Sequence, residues 1–250
     1  MSRCVPWEAS GGKSGSAFLK TLDDRYLIKQ ISKQEMSAFL KFAPHYFRHM
    51  YRTYRGEMLT IFAKILGMYT ISFKNRITGK STKINVIVQE NLFYGRKVSK
   101  IFDLKGSLRN RMVSEDKESA VWQDENLLKF IRENPIYIRE HTKQHLHDAI
   151  WNDTLFLSKV DVMDYSLLVG LDEENKEIYV GIVDFIRTYT WDKKLESWVK
   201  EAGLLGGGGK VPTIISPKQY KNRFREAMDN YFLVVPDRFG FELADEDGSF

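Results

Sequence analysis

The chain holds a single cysteine, Cys4. No internal disulfide can form, and such usage suits a reducing compartment. No uninterrupted apolar run approaches the ~18 residues that a bilayer span requires, so no membrane crossing is expected. The opening residues Met1 to Trp7 have neither the apolar stretch nor the small-residue cleavage site of a signal peptide. Glu8 and a shortage of basic residues nearby speak against a transit peptide. Hydrophobic residues make up 43% of the 250 positions, charged residues 28% and aromatics 13%. That balance excludes disorder, collagen and coiled coil, and leaves one large domain or two small ones with an ample core.

The net charge is only +5, but it is unevenly spread. Residues 187–225 carry nine Lys and Arg against three acids, whereas residues 237–250 carry five acids against Arg238. A localised basic stretch implies an anionic partner: a membrane surface, a polyphosphate or a nucleic acid. No nucleic-acid recognition motif accompanies it.

Periodicity gives an α+β pattern, strand-rich first and helix-rich later. Strands are expected over 17–20 and 25–31, helices over 33–43 and 45–65 broken at Pro44, and a hairpin over 68–74 and 81–89. A strand over 98–104 follows, then helices over 125–133 and 140–158, a second hairpin over 165–171 and 177–185, and a helix over 217–232.

Four features carry chemistry. The first is the glycine loop Gly11-Gly12-Lys13-Ser14-Gly15-Ser16, which lets backbone N–H groups approach phosphate oxygens. It is not a P-loop, because Trp7 stands where that motif needs glycine and a strand follows instead of a helix. The second is Lys29, on the same strand face as Leu27 and Ile31; there it must either snorkel to water or pair with an anion, such as a nucleotide phosphate. Glu35 on the next helix is the expected partner. The third is the pair Asp164 and Asp184, at the outer ends of the second hairpin. They read either as strand-end caps or as a close pair, one carboxylate orienting a hydroxyl and the other holding Mg²⁺. The fourth is His141 and His145 at i, i+4, a zinc-ligand spacing without a cysteine or a third ligand, for which a polar helix face is the expectation.

Taken together, Gly12-Lys13-Ser14-Gly15, Ile28-Lys29, Asp103-Leu104-Lys105-Gly106-Ser107, Met163-Asp164-Tyr165-Ser166-Leu167-Leu168-Val169 and Ile182-Val183-Asp184-Phe185 resemble the phosphatidylinositol phosphate kinases, in order and spacing over residues 7–232. The segments Trp191 to Glu196, Gly206 to Gly209 and Ala227 to Phe232 resemble the FYVE-finger-bearing branch that acts on phosphatidylinositol 3-phosphate. The resemblance implies a two-lobed fold, with an antiparallel-sheet N-lobe and hinge over 1–94 and a mixed helix and hairpin C-lobe over 95–250. It implies ATP and Mg²⁺ as cofactors and transfer of the γ-phosphate to the inositol 5-hydroxyl of phosphatidylinositol 3-phosphate, the alternatives being a kinase for the 4- or 5-phosphate and a non-catalytic phosphoinositide-binding or scaffold fragment. By the same resemblance, Gly12, Lys13, Ser14, Gly15 and Ser16 cover the phosphates, Lys29 binds them with Glu35 as its partner, and Asn91 and Phe93 lie against the adenine. Asp164 matches the catalytic aspartate and Asp184 the Mg²⁺ aspartate, with Asp103 and Lys105 beside them. Residues 187–215 would select the headgroup, with Lys193, Lys194 and Lys210 as substrate contacts and Trp191 and Trp198 as interfacial anchors or local core. Family members normally have a helix and strand ahead of the glycine loop, so a shortened N-lobe is expected. The cytoplasmic face of endosomal membranes and a protein scaffold follow from the family alone.

Overall fold

A computed structural model describes residues 4–7, 17–74, 76–114, 121–188 and 216–236. The glycine loop 12–16 and the expected contacts Lys193, Lys194 and Lys210 lie outside the described residues, as do Trp191 and Trp198.

Strands β1 (Cys4–Trp7), β2 (Phe18–Thr21) and β3 (Tyr26–Ile31) lead into helix α1 (Lys33–Tyr54), followed by β4 (Ile65–Lys74) and β5 (Ser81–Glu90). These strands form one antiparallel sheet in the order β1-β2-β3-β5-β4. Alternation on β3 buries Leu27, Lys29 and Ile31 on one face, where α1 supplies Phe39, Phe42 and Tyr46.

Helix α1 departs from expectation. It begins with a capping box between Ser32 and Glu35, runs unbroken through Pro44, and ends at Tyr54 with Gly56 at φ +74°. The expected break at Pro44 is absent. The Phe39, Phe42, Ala43, Tyr46 and His49 side chains share one buried face, and their packing outweighs the proline's missing N–H and its clash with the preceding turn. The expected continuation to residue 65 is replaced by an extended segment: Ile61 and Ala63 hydrogen-bond to Ile182 at 2.8 and 3.0 Å.

Strand β6 (Lys100–Leu104), helix α2 (Asp124–Glu133), β7 (Tyr137–Arg139), helix α3 (Glu140–Lys159), β8 (Ser166–Asp172) and β9 (Glu177–Val183) follow. Helix α4 (Pro217–Tyr231) and β10 (Leu233–Val235) complete the described elements. β6, β8 and β9 form a second antiparallel sheet, and β10 pairs in parallel with β7. The molecule is therefore α+β, with antiparallel sheets and four helices among the described residues. Its two sheets share one core, in which Tyr46, Phe62 and Phe185 pack together.

Candidate active site

The β8–β9 register aligns Ser166 with Val183, which brings Asp164 and Asp184 to the same end of the hairpin. The chain past β9 then runs beside the chain before β8: the Met163 amide donates to the Arg187 carbonyl at 3.3 Å, and Val162 bridges Thr188. Both aspartates adopt left-handed backbone, at φ +64° and +60°. That conformation is uncommon away from glycine, though Asp tolerates it better than most residues. The Asp164 side chain is exposed; Asp184 is 45% exposed.

Lys29 is 3% exposed, and its ammonium bonds to the Asp184 carboxylate with the Phe18 ring 5.3 Å away. A buried ammonium needs such a partner. The pair borders a small recess, lined also by Ile65, Ile87, Gln89, Phe185 and Ile186. Phe185 holds the Asp184 turn in place: it lies 4.4 Å from the Phe62 ring centroid and 6.0 Å from that of Tyr46. The Tyr46 hydroxyl accepts the Ile65 amide at 2.9 Å, and burial pushes its pKa up to about 12.

Glu35 differs from expectation. One carboxylate oxygen accepts the Ser32 amide at 2.8 Å, and the other accepts Nε of Arg187 at 3.0 Å. It is thus spent on capping α1 and fastening the segment after Asp184, while Lys29 turns to Asp184. Burial works to raise the Glu35 pKa, but the Ser32 amide and Arg187 outweigh it and hold the carboxyl below its ordinary value.

Asn91 and Phe93, expected against the adenine, stand outside the lining of the recess. The Asn91 carboxamide donates to the Asp24 carbonyl at 2.7 Å and accepts the Phe93 amide at 3.1 Å. The Phe93 ring lies directly over Gly170, and Leu92 over Gly181, where a Cβ on either glycine would collide. Both side chains therefore fix the link between the sheets.

Asp103 projects from the face of β6 opposite the side that buries Phe102 and Leu104, and Lys105 follows the strand directly. Asp103 accepts Nη2 of Arg111 at 2.8 Å. Nε of the same guanidinium donates to Asp124 at 2.8 Å. Asp124, Arg111, Arg187 and Tyr231 were not legible as site residues. Asp124 opens a helix beside Glu125 and reads as an ordinary first-turn acid.

Two aspartates in left-handed backbone at one hairpin end and an ammonium from the facing sheet are thus brought to one place. The family model for phosphatidylinositol-4-phosphate 5-kinase matches residues 3–178 and 171–231, and the chain belongs to that phosphatidylinositol phosphate kinase family. It is 56% identical over 241 residues to the 1-phosphatidylinositol 3-phosphate 5-kinase FAB1 of Saccharomyces cerevisiae, covering 95% of this chain and 11% of the relative. It is 54% identical to the 1-phosphatidylinositol 3-phosphate 5-kinases of Mus musculus and Homo sapiens, over 97% and 96% of this chain and 12% of each relative. The chain thus spans roughly an eighth of the length of these relatives.

Proposed function

We propose that the chain is the catalytic part of a lipid kinase that transfers the γ-phosphate of ATP to the inositol 5-hydroxyl of phosphatidylinositol 3-phosphate. The observation that carries this reading is the meeting of Lys29 from one sheet with Asp184 from the other, with Asp164 at the same hairpin end. The lobes divide near residue 94, between the two sheets.

Nucleotide binds beside Lys29, whose ammonium exchanges the Asp184 carboxylate for phosphate oxygens, which the glycine loop 12–16 would cover. The donor set suits Mg²⁺: hard carboxylate oxygens at Asp184, in a half-open position. Among the described residues no group of three or more His, Cys, Asp or Glu gathers into a cage, and Mg²⁺ is ordinarily held by one or two carboxylates plus substrate phosphates. Bound there, Mg²⁺ supplies positive charge against the transferring phosphoryl group. Asp164 orients the inositol hydroxyl and accepts its proton as the new O–P bond forms and the bond from the γ-phosphorus to the bridging oxygen breaks, with ADP leaving. Lys193, Lys194 and Lys210 meet the headgroup, and each basic residue near an anionic leaflet contributes about 1 kcal/mol. No helix among the described residues is long and apolar enough to cross a membrane, and the enzyme works at the cytoplasmic face of endosomal membranes, recruited through a protein scaffold.

The test incubates the chain with Mg²⁺, labelled ATP and vesicles of each monophosphoinositide. Label is expected in bisphosphate lipid from the 3-phosphate alone. Asp164→Asn should abolish transfer while keeping the Mg²⁺-dependent thermal shift with ATP. Turnover surviving in that variant, or transfer to the 4- or 5-phosphate, would contradict the assignment.

A further inference from the structure

Asp124 is fully buried, yet no step above uses it. A carboxylate so placed is tolerable only when its lone pairs are filled by donors. Here four groups fill them. The Gly106 amide donates at 2.8 Å, the Lys105 amide at 3.1 Å, Nε of Arg111 at 2.8 Å and the Tyr231 hydroxyl at 3.0 Å. Two of the four belong to consecutive residues of the Asp103–Ser107 segment, and a third reaches Asp103 through its other nitrogen.

We propose that Asp124 is a positioning residue for phosphoryl transfer: through two backbone amides and Arg111 it fixes Lys105 and Asp103 at the end of β6, which the pairing of Leu104 with Leu167 sets at the hairpin end that carries Asp164. This rests on the kinase reading above.

The geometry leaves Lys105 little freedom. Its amide is held by Asp124, and its carbonyl accepts Nη2 of Arg223 at 3.4 Å. The next residue, Gly106, turns the chain at φ +66°, pressed so closely on α4 that a Cβ would lie 2.9 Å from that of Ala227. With both flanking peptides fixed, the direction in which the lysine side chain leaves the strand is fixed too. Asp103 is controlled from the same point. Arg111 reaches its carboxylate at 2.8 Å and also its carbonyl. The Arg111 backbone is itself pinned, since its carbonyl accepts the Glu125 amide at 3.0 Å and Asn126 bonds both the amide and the carbonyl of Val113 at 2.9 Å. One buried carboxylate at the start of α2 thus orients an anion and a cation at the hairpin end that carries Asp164.

The experiment compares the wild-type chain with Asp124→Asn, Arg111→Lys and Tyr231→Phe, the last two each weakening one contact in case the first does not fold. Hydrogen exchange is read over residues 101–107, and kcat and KM are measured with ATP and phosphatidylinositol 3-phosphate vesicles. In Asp124→Asn, exchange at Lys105 and Gly106 should rise about tenfold while β8 and β9 stay protected. Turnover should fall by about 100-fold, the cost of a roughly 1 Å misplacement, with KM for ATP within about twofold of wild type. Arg111→Lys and Tyr231→Phe should fall between Asp124→Asn and wild type on both measures. Unchanged exchange over 101–107 overturns the proposal, as does unchanged kcat with raised exchange. A joint loss of ATP affinity, turnover and protection throughout the chain would assign Asp124 to the fold alone and overturn it equally. A wild-type chain that moves no phosphate to any lipid defeats the kinase reading, and with it the catalytic consequence of the contact, while exchange still decides whether Asp124 holds the loop.

Discussion

At the scale of single residues, the Lys29–Asp184 pair is lopsided. The ammonium is buried and the carboxylate is 45% exposed, so the two ends have different alternatives when the partner is removed. Asp184→Asn leaves a buried charge uncompensated and should lower the stability of the nucleotide-free chain by about 1–2 kcal/mol, a fraction of the cost for a fully buried pair. Lys29→Met returns Asp184 to water and should cost less. Urea titration of both variants checks the order, and a larger loss for Lys29→Met would contradict it. Glu35 gives a pH signature. Its folded pKa lies below its ordinary 4.5, so the unfolded chain binds the proton more readily. The contribution is then complete above the ordinary value and is lost as pH falls through the folded one. Glu35→Gln should be less stable than wild type at pH 7, with the gap closing below pH ~4.5, as followed by thermal melts. The face of Lys29 was legible from alternation, because a period of two places it between Leu27 and Ile31. The partner was not. The Ser32-to-Glu35 spacing is itself a capping-box signature, and in the structure that local role claims the carboxylate.

At the scale of elements, two positions separate what a sequence pattern can and cannot report. Pro44 has a breaker's chemistry, but the buried stripe from Phe39 to His49 carries α1 across it. The strain persists, so Pro44→Ala should stabilise the chain by about 1–3 kcal/mol, measurable as a raised denaturation midpoint. Gly106 is the opposite case, where the backbone and α4 leave no room for a side chain. Gly106→Ala should cost about 1–3 kcal/mol and lower turnover with it; a neutral substitution would show that α4 yields. The hairpins and the later helices were legible because their periodicity is local. The β7–β10 pairing was not: each strand has only three residues, and they meet across nearly a hundred positions of sequence. Asp124 was hidden for a related reason, since its donors lie in a loop, a turn and the end of α4.

At the scale of the whole molecule, the two sheets are fastened at a buried joint. Asp153 of α3 is fully buried; it accepts Nε2 of His49 from α1 at 2.8 Å under one tautomer, the Thr60 hydroxyl at 2.8 Å and the Ile61 amide at 2.8 Å. Burial raises its pKa, against the pull of His49 and these donors. Residues 61–63 then lie along β9, so one carboxylate ties α1, α3 and the strand that ends at the site. Asp153→Ala strands these donors and should cost about 3 kcal/mol. Calorimetry should show one transition for the wild-type chain and two for Asp153→Ala, as the sheets cease to melt together; one undivided transition in the variant would mean that the aromatic packing of Tyr46, Phe62 and Phe185 suffices.

The hold of α4 on the Lys105–Gly106 turn has a consequence in time. Asp124 and its Tyr231 donor are 107 residues apart in the chain. At a ribosome's pace of about 5–20 residues per second, the donor is made some 5–20 s after the acceptor. Until then a newly made chain has its strands, its Lys29 and its aspartates, but not the closure that orders Lys105. The Lys105–Gly106 turn is therefore ordered only once α4 has been made, long after the turn itself.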